Sequence, residues 1–290
     1  MNVAETVRIY FSLTKPNVWW LLAFTGAAGI IAASNGLPDP YLFTVAILSI
    51  TFGVAGTEAA SNYLEMSLDS VMKRTSKRVL PRGLINPPWK ALVFGLVLMT
   101  VSLILAYLIN PVMLFFMATG MFDYLVIYVM WSKRRTPLNI ILGSYAGGAP
   151  LMAGYTAVSY WPTAEAFILA ALIVLWIPPH IWSLALIYKE DYMRAHVPML
   201  PVVTSEATAI RCISSTTIIS VLFTFLLYIL YPGKYGLIYL IAAAVSGLMI
   251  VLPATALMIS PNRKTAYLLF KTTSPQLFII MLAVMLDTLF

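Results

Sequence analysis

The chain has 290 residues, of which 61% are hydrophobic and 10% charged, with a formal net charge of +7. Average soluble domains carry roughly 45–50% apolar and about 25% charged residues, so a soluble globular protein, a disordered tail and a coiled coil are all excluded. An all-α, polytopic membrane bundle is expected, as one domain over residues 1–290, and the lone Cys212 leaves no disulfide framework or cysteine-based metal site.

Stretches long enough to cross the hydrocarbon core, about 20 residues each, occur at nine places: 17–34, 41–64, 90–109, 111–131, 138–158, 164–188, 210–231, 236–258 and 274–290. Each must be a helix, because lipid offers the backbone no hydrogen-bond partner. The first is too long for a cleaved signal peptide and is followed by further spans. With the amino terminus and alternate loops on one side, 17 of the 18 Lys and Arg residues fall there and Lys234 lies opposite. The basic side is expected in the cytoplasm. The positive charge is therefore chiefly topological, and no nucleic-acid partner is expected. Pro150 among its glycines, Pro178-Pro179 and Pro253 interrupt spans. They point to close packing or to kinked helices around a central cavity.

Polar residues collect in three cytoplasmic segments. The first begins inside the second span and reads Ser61 to Gly83. If the helix continues, successive residues advance ~100°. With Glu58 at zero, Asn62 lies at about 40°, Glu65 at about −20°, Asp69 at about 20° and Lys73 at about 60°. Oxygen donors on one stripe suit a hard cation, and Mg²⁺ is usual where phosphates share its shell. Beyond the stripe come Lys73, Arg74, Lys77, Arg78, Arg82 and Lys90, whose guanidiniums can grip phosphate oxygens bidentately. Acids for a metal beside cations for phosphate make a diphosphate site. Without that combination, the basic residues would read as positive-inside charge alone.

The second segment, Lys133-Arg134-Arg135, closes the fourth span as a stop-transfer anchor or a further anion site. Asp123, within that span, has no evident partner. The third runs from His180 to Val202; on a continuous helix His180, Ser183, Ile187, Asp191 and Arg194 lie within about 60°. Asp191 or Glu190 can complete a metal shell there, and Tyr188 and Lys189 stand at the same end.

These segments resemble the UbiA-type intramembrane prenyltransferases, and most closely the branch of that family that farnesylates protoheme IX. The resemblance rests on Met72 to Gly83, Lys133 to Ile140, Gly143 to Gly154, Pro178 to Ala185 and Tyr188 to Val202. Glu65 stands where the family usually has Asp, Ser61 where it often has Asn, and Ser67 where another Asp is common. The resemblance implies farnesyl diphosphate as donor, heme b as acceptor and Mg²⁺ as cofactor. Asn62, Glu65, Asp69 and Asp191 would be the metal ligands. Lys73, Arg74, Arg78, Arg82, Lys133 and Arg134 would neutralise the leaving group, and Tyr188 and Lys189 would line the substrate site. His180 would orient or ligate the heme, and Arg135 or Arg194 would pair with a propionate. A sibling using an aromatic or glycerol-phosphate acceptor is the nearest alternative; a transporter is disfavoured because nearly all charge gathers at one surface rather than the midplane.

Overall fold

The computed structural model describes residues 2–290 and contains, among them, helices and no strands. A short helix α1 (Val3–Leu13) precedes α2 (Pro16–Ser34) and α3 (Pro40–Leu64). After a one-turn helix α4 (Met66–Val71) come α5 (Trp89–Ile109) and α6 (Pro111–Phe122), which runs on as a π-helical segment, Asp123–Ser132. Then follow α7 (Asn139–Leu142), α8 (Tyr145–Ser159), α9 (Ala164–Ile187), α10 (Lys189–Arg194), α11 (Leu200–Val203), α12 (Glu206–Leu230), α13 (Leu237–Ile259) and α14 (Arg263–Leu289).

Among the described residues, eight helices are long and apolar enough to cross a membrane. The expected span at 138–158 is instead divided at Gly143-Ser144 into α7 and the 15-residue α8. At 1.5 Å per residue, α8 is about 22 Å long, short of the roughly 30 Å core. It is nevertheless a crossing element. Asn110, at the α5–α6 turn, donates through Nδ2 to the carbonyl of Thr156 at 2.8 Å, so the end of α8 lies level with the far end of α6. A short helix is tolerated because it is sheathed in protein: residues 147–157 of α8 are all buried.

What brings α8 so deep is the absence of side chains. A methyl group added at Gly154 would sit 2.1 Å from the carbonyl oxygen of Gly26, so α2 and α8 touch backbone to backbone. The α3–α5 crossing repeats the device, with the Gly95 carbonyl 2.7 Å from where a Gly56 methyl would stand. Lipid tails are as apolar as leucine, so close van der Waals approach rather than hydrophobicity holds membrane helices together. Pro150, Pro178, Pro179 and Pro253 are all buried inside continuous helices, and an exposed Pro275 lies within α14. That last helix begins at Arg263, eleven residues before the expected start at 274, capped by Asn262, which accepts from the Lys264 and Thr265 amides.

The α1 helix was not expected from hydropathy. Its Val3, Val7 and Phe11, spaced four apart and exposed, form one stripe, while Ile9 and Leu13 are buried against Ala59, Leu80 and Ile85. Two faces of this kind suit a helix lying in the bilayer interface.

Candidate active site

A cavity of about 1000 Å³ opens at the charged end of the bundle, enclosed by α2, α3, α6 with its π-helical extension, α8, α9 and α14. Its deep walls are apolar and aromatic, with Leu21, Val54, Phe116, Met117, Trp176 and Leu277 among them. Its mouth is ionic: Glu58, Glu65 and Asp69 face Lys15, Arg74, Arg78 and Lys133.

Every carboxylate at the mouth holds a cation. Arg78 Nη1 donates to both Asp69 oxygens, at 3.0 and 2.8 Å. Lys133 donates to Glu65 and also lies 5.1 Å from the centre of the Tyr128 ring. Lys15 Nζ donates to Glu58 Oε2 at 2.6 Å, and the Tyr124 hydroxyl to Glu58 Oε1 at 3.0 Å. Burial alone would raise the Glu65 carboxyl, but the charges of Lys133, Lys15 and Arg78 hold it below its ordinary 4.5. Burial likewise works against the cations, yet Asp69 lifts Arg78 and Glu65 lifts Lys133 above their ordinary values. Glu65, Arg78 and Lys133 are thus held in their charged forms.

Local structure explains which expected residues reach this mouth. The acidic stripe presupposed one unbroken helix. In fact α3 ends at Leu64, Glu65 caps it at φ −99° and ψ 3°, and α4 restarts at Met66. Glu58, Glu65 and Asp69 still face the cavity, whereas Lys73 falls beyond the end of α4 and is exposed. Asn62 turns the other way, its Nδ2 donating to the carbonyls of Leu13 and Glu58. Asn62 and Arg82 line instead a smaller side cavity of about 410 Å³ beside α1.

The third segment is corrected for the same reason. Because α9 stops at Ile187 and α10 restarts at Lys189, His180 and Asp191 do not share a face. His180 lines the cavity; Asp191 does not. Asp191 Oδ2 accepts the Arg74 amide at 2.9 Å and Oδ1 accepts from Arg194. Burial alone would raise the Asp191 carboxyl, but these contacts, with the Lys73 amide, depress it. The four-ligand shell of Asn62, Glu65, Asp69 and Asp191 is therefore not assembled, and among the described residues no three carboxylate, histidine or cysteine side chains converge on one point. Tyr188 lies outside the cavity, its ring 5.4 Å from Arg74 and 5.8 Å from Arg263. Arg134 reaches Ser67 Oγ at 3.2 Å, Arg135 is exposed, and Lys189 does not reach the cavity.

The remaining donors fit Mg²⁺ in one particular manner. Mg²⁺ dehydrates reluctantly and is commonly held by one or two carboxylates plus substrate phosphates, keeping waters. Glu65 and Asp69 supply two carboxylates on the cavity wall, with cations alongside that can transfer to phosphate.

The sequence model of the UbiA prenyltransferase family matches residues 22–282. The chain belongs to that family. A protoheme IX farnesyltransferase from Desulforudis audaxviator is 40% identical over 284 residues, covering 98% of this chain and 89% of the relative. One from Thermoplasma volcanium is 40% identical over 287 residues, covering 98% and 99%. Among solved structures, the chain resembles digeranylgeranylglyceryl phosphate synthase, with TM-score 0.79 at 21% identity over 98% of this chain and 99% of the other. It also resembles a UbiA homologue from Archaeoglobus fulgidus bound to DMAPP and Mg²⁺, with TM-score 0.67 at 16% identity over 96% and 99%. At such identities the likeness shows the fold. The cavity of this UbiA-family prenyltransferase is also lined by three residues that the sequence patterns do not single out. Lys15 is forced out of the helix by Pro16, which disfavours the α conformation in the residue before it, and takes φ 50° to meet Glu58. Tyr124 and Tyr128, four residues apart, both line the cavity. Their spacing was a legible signal; their coincidence with a π-helical segment, a feature frequent at functional sites, was not. Asp123, unassigned from sequence, accepts the Ala146 amide at 3.0 Å and so pins the start of α8 to that segment.

Proposed function

We propose that this prenyltransferase moves a farnesyl group from farnesyl diphosphate to a vinyl group of heme b, giving heme O, with Mg²⁺ bound at Glu65 and Asp69. The observation that carries the reading is the cavity itself: an ion-paired mouth opening onto a deep apolar chamber, in a chain 40% identical over nearly its whole length to protoheme IX farnesyltransferases.

Each residue's part follows from its place. On entry of the diphosphate, Arg78 and Lys133 exchange carboxylate oxygens for phosphate oxygens, releasing Asp69 and Glu65 toward the metal. Arg74, whose guanidinium has no carboxylate partner among the described residues, is free to add a further phosphate contact. Bound Mg²⁺ supplies Lewis-acid stabilisation of the departing diphosphate. The cations stabilise the same developing charge at the edge of an apolar chamber, where fixed charges act more strongly than in solution. As the allylic C–O bond breaks, the electron pair leaves with diphosphate and the vinyl carbon bonds to the farnesyl carbon. Water then adds to the resulting heme-side cation and loses a proton, leaving a hydroxyethylfarnesyl group. The aromatic walls at Tyr124, Tyr128 and Trp176 exclude water until that step.

The charged mouth faces the cytoplasm from the cell membrane, a reading supported by the basic residues gathered at that end. The decisive experiment supplies membranes containing the protein with heme b, farnesyl diphosphate and Mg²⁺, followed by mass spectrometry. The expected product is the heme adduct bearing farnesyl plus water; its absence, or its formation undiminished in EDTA, would overturn the proposal.

A further inference from the structure

The side cavity beside α1 takes no part in prenyl transfer as derived above, and its lining differs from that of the mouth. Five cations face it, Arg8, Lys15, Lys77, Arg78 and Arg82, and no carboxylate does. Lys15 and Arg78 also line the main cavity, where they pair with Glu58 and Asp69. Arg8, Lys77 and Arg82 form no ion pair among the described residues. Three uncompensated cations around a space of about 410 Å³ make a pocket for an anion.

Asn62 narrows the identity of that anion. It lines the side cavity and is only 5% exposed. Its Nδ2 spends both protons, on the Leu13 carbonyl at 2.9 Å and the Glu58 carbonyl at 2.8 Å. Backbone carbonyls only accept, so these partners fix which way the amide is turned. What remains is Oδ1, an acceptor with no hydrogen-bond partner among the described residues. Ser12, on the same wall, donates to the Ile9 carbonyl at 2.8 Å and is likewise left as an acceptor. An anion made of acceptor oxygens alone offers these groups nothing, whereas a hydroxyl does. The pocket therefore suits a ligand that carries both a phosphate and a hydroxyl.

Position indicates where such a ligand comes from. The α1 helix exposes the apolar stripe Val3, Val7 and Phe11. Arg8 and Ser12 each follow a stripe residue by one position, ~100° round the helix, and both line the side cavity. A molecule with acyl chains along the stripe and its head beside Arg8 meets both faces at once. Basic pockets at a membrane surface capture anionic headgroups in this way.

We infer that the side cavity binds the headgroup of an anionic phospholipid bearing free hydroxyls, of which phosphatidylglycerol is the simplest, as a resident lipid rather than a substrate. The phosphate lies among Arg8, Lys77 and Arg82, and a headgroup hydroxyl donates to Asn62. The inference is independent of which acceptor receives the prenyl group.

Lys77 and Arg82 line the side cavity and not the main one, so their variants isolate it. The purified protein in neutral-detergent micelles is titrated with lipid, and the first bound lipid is counted by native mass spectrometry. Phosphatidylglycerol is expected to bind more tightly than phosphatidylethanol, which has the same charge and no hydroxyl, and more tightly still than zwitterionic phosphatidylcholine. Lys77→Ala should weaken phosphatidylglycerol about 5-fold, and Lys77→Ala combined with Arg82→Ala about 30-fold, with the thermal midpoint retained; Lys77→Arg should keep the affinity. Lys264→Ala removes an exposed cation at the start of α14 outside both cavities and should change nothing. An equal loss in Lys264→Ala reduces the effect to bulk surface charge and overturns the inference, as does equal binding of phosphatidylglycerol and phosphatidylcholine. Equal binding of phosphatidylglycerol and phosphatidylethanol overturns the headgroup assignment. Calorimetry with inorganic diphosphate in lipid-free micelles separates the remaining source: the double variant should bind it as the wild type does, and a parallel 30-fold loss would give the cavity to a free anion and overturn the lipid.

Discussion

Two ionic clusters sit at opposite ends of this bundle and have opposite fates. At the charged mouth, Glu58, Glu65 and Asp69 each hold a cation, yet all line an open cavity. At the far end, Glu165 accepts from Lys234, Tyr155 and Tyr235, and Lys234 adds the Ala32 carbonyl at 2.6 Å. Beside them Asp287 accepts the amides of Gly236 and Tyr239, at 2.7 and 2.9 Å. That second cluster touches neither described cavity. It ties the end of α2 to the start of α9 and to the α12–α13 turn, which is tied in turn to the end of α14. Both clusters satisfy buried charge, but only one can exchange partners with a ligand. Charge pairing by itself does not mark a site; pairing on a cavity wall does.

Substitutions can break that contrast from either side. Asp69→Asn is expected to lower Mg²⁺-dependent turnover about 10³-fold, in line with the loss of one electrostatic stabiliser of the transition state, while the thermal midpoint in detergent stays within a few degrees. Full activity in this variant would remove Asp69 from the metal site. Lys234→Ala should do the reverse. It leaves Glu165 without its cation and is expected to cost about 3 kcal/mol of stability, read by thermal unfolding, with turnover per folded molecule unchanged. Gly154→Ala forces α2 and α8 apart and is expected to cost about 2 kcal/mol by overpacking, with a smaller fall in activity because α8 also walls the cavity.

The smallest effect lies in pH. Glu65 is depressed, so its stabilising charge is fully present above 4.5 and is lost only as pH falls through a still lower value. Lys133 is raised, so its contribution is intact below 10.5 and disappears only above it. The Glu65–Lys133 pair should therefore add no slope to stability between about pH 5 and 10. A Glu65→Gln variant whose stability profile diverged from wild type within that window would show the pair to be weaker than its geometry implies.

Much of the site could be read along the chain. Glu65, Asp69, Arg74, Arg78 and Lys133 stand in the segments singled out by their residue types, and all line the cavity. Lys73 and Asp191 are misplaced by continuing a helix through a break, whereas Asn62 lies within α3 and is turned away by its bonds to the Leu13 and Glu58 carbonyls. A break at Glu65 or Tyr188 carries no Pro or Gly to announce it, because Tyr188 is capped only by backbone geometry and Glu65 is held by Lys133 from another span. Lys15 and Tyr124 escaped notice since their partner, Glu58, lies 43 and 66 residues away along the chain.

Composition and charge placement settled the class and the gathering of charge at one end, though not the count of spans, nine expected against eight sufficiently long and apolar helices among the described residues, because hydrocarbon permits only hydrogen-bonded helices and translocation discriminates against Lys and Arg. Packing alone determined which oxygens and nitrogens meet. The contact of Gly26 with Gly154, the turn at Lys15 and the bond from His180 to Thr273 join residues far apart in sequence. Such meetings depend on backbone approach measured in tenths of an ångström, which no local pattern encodes.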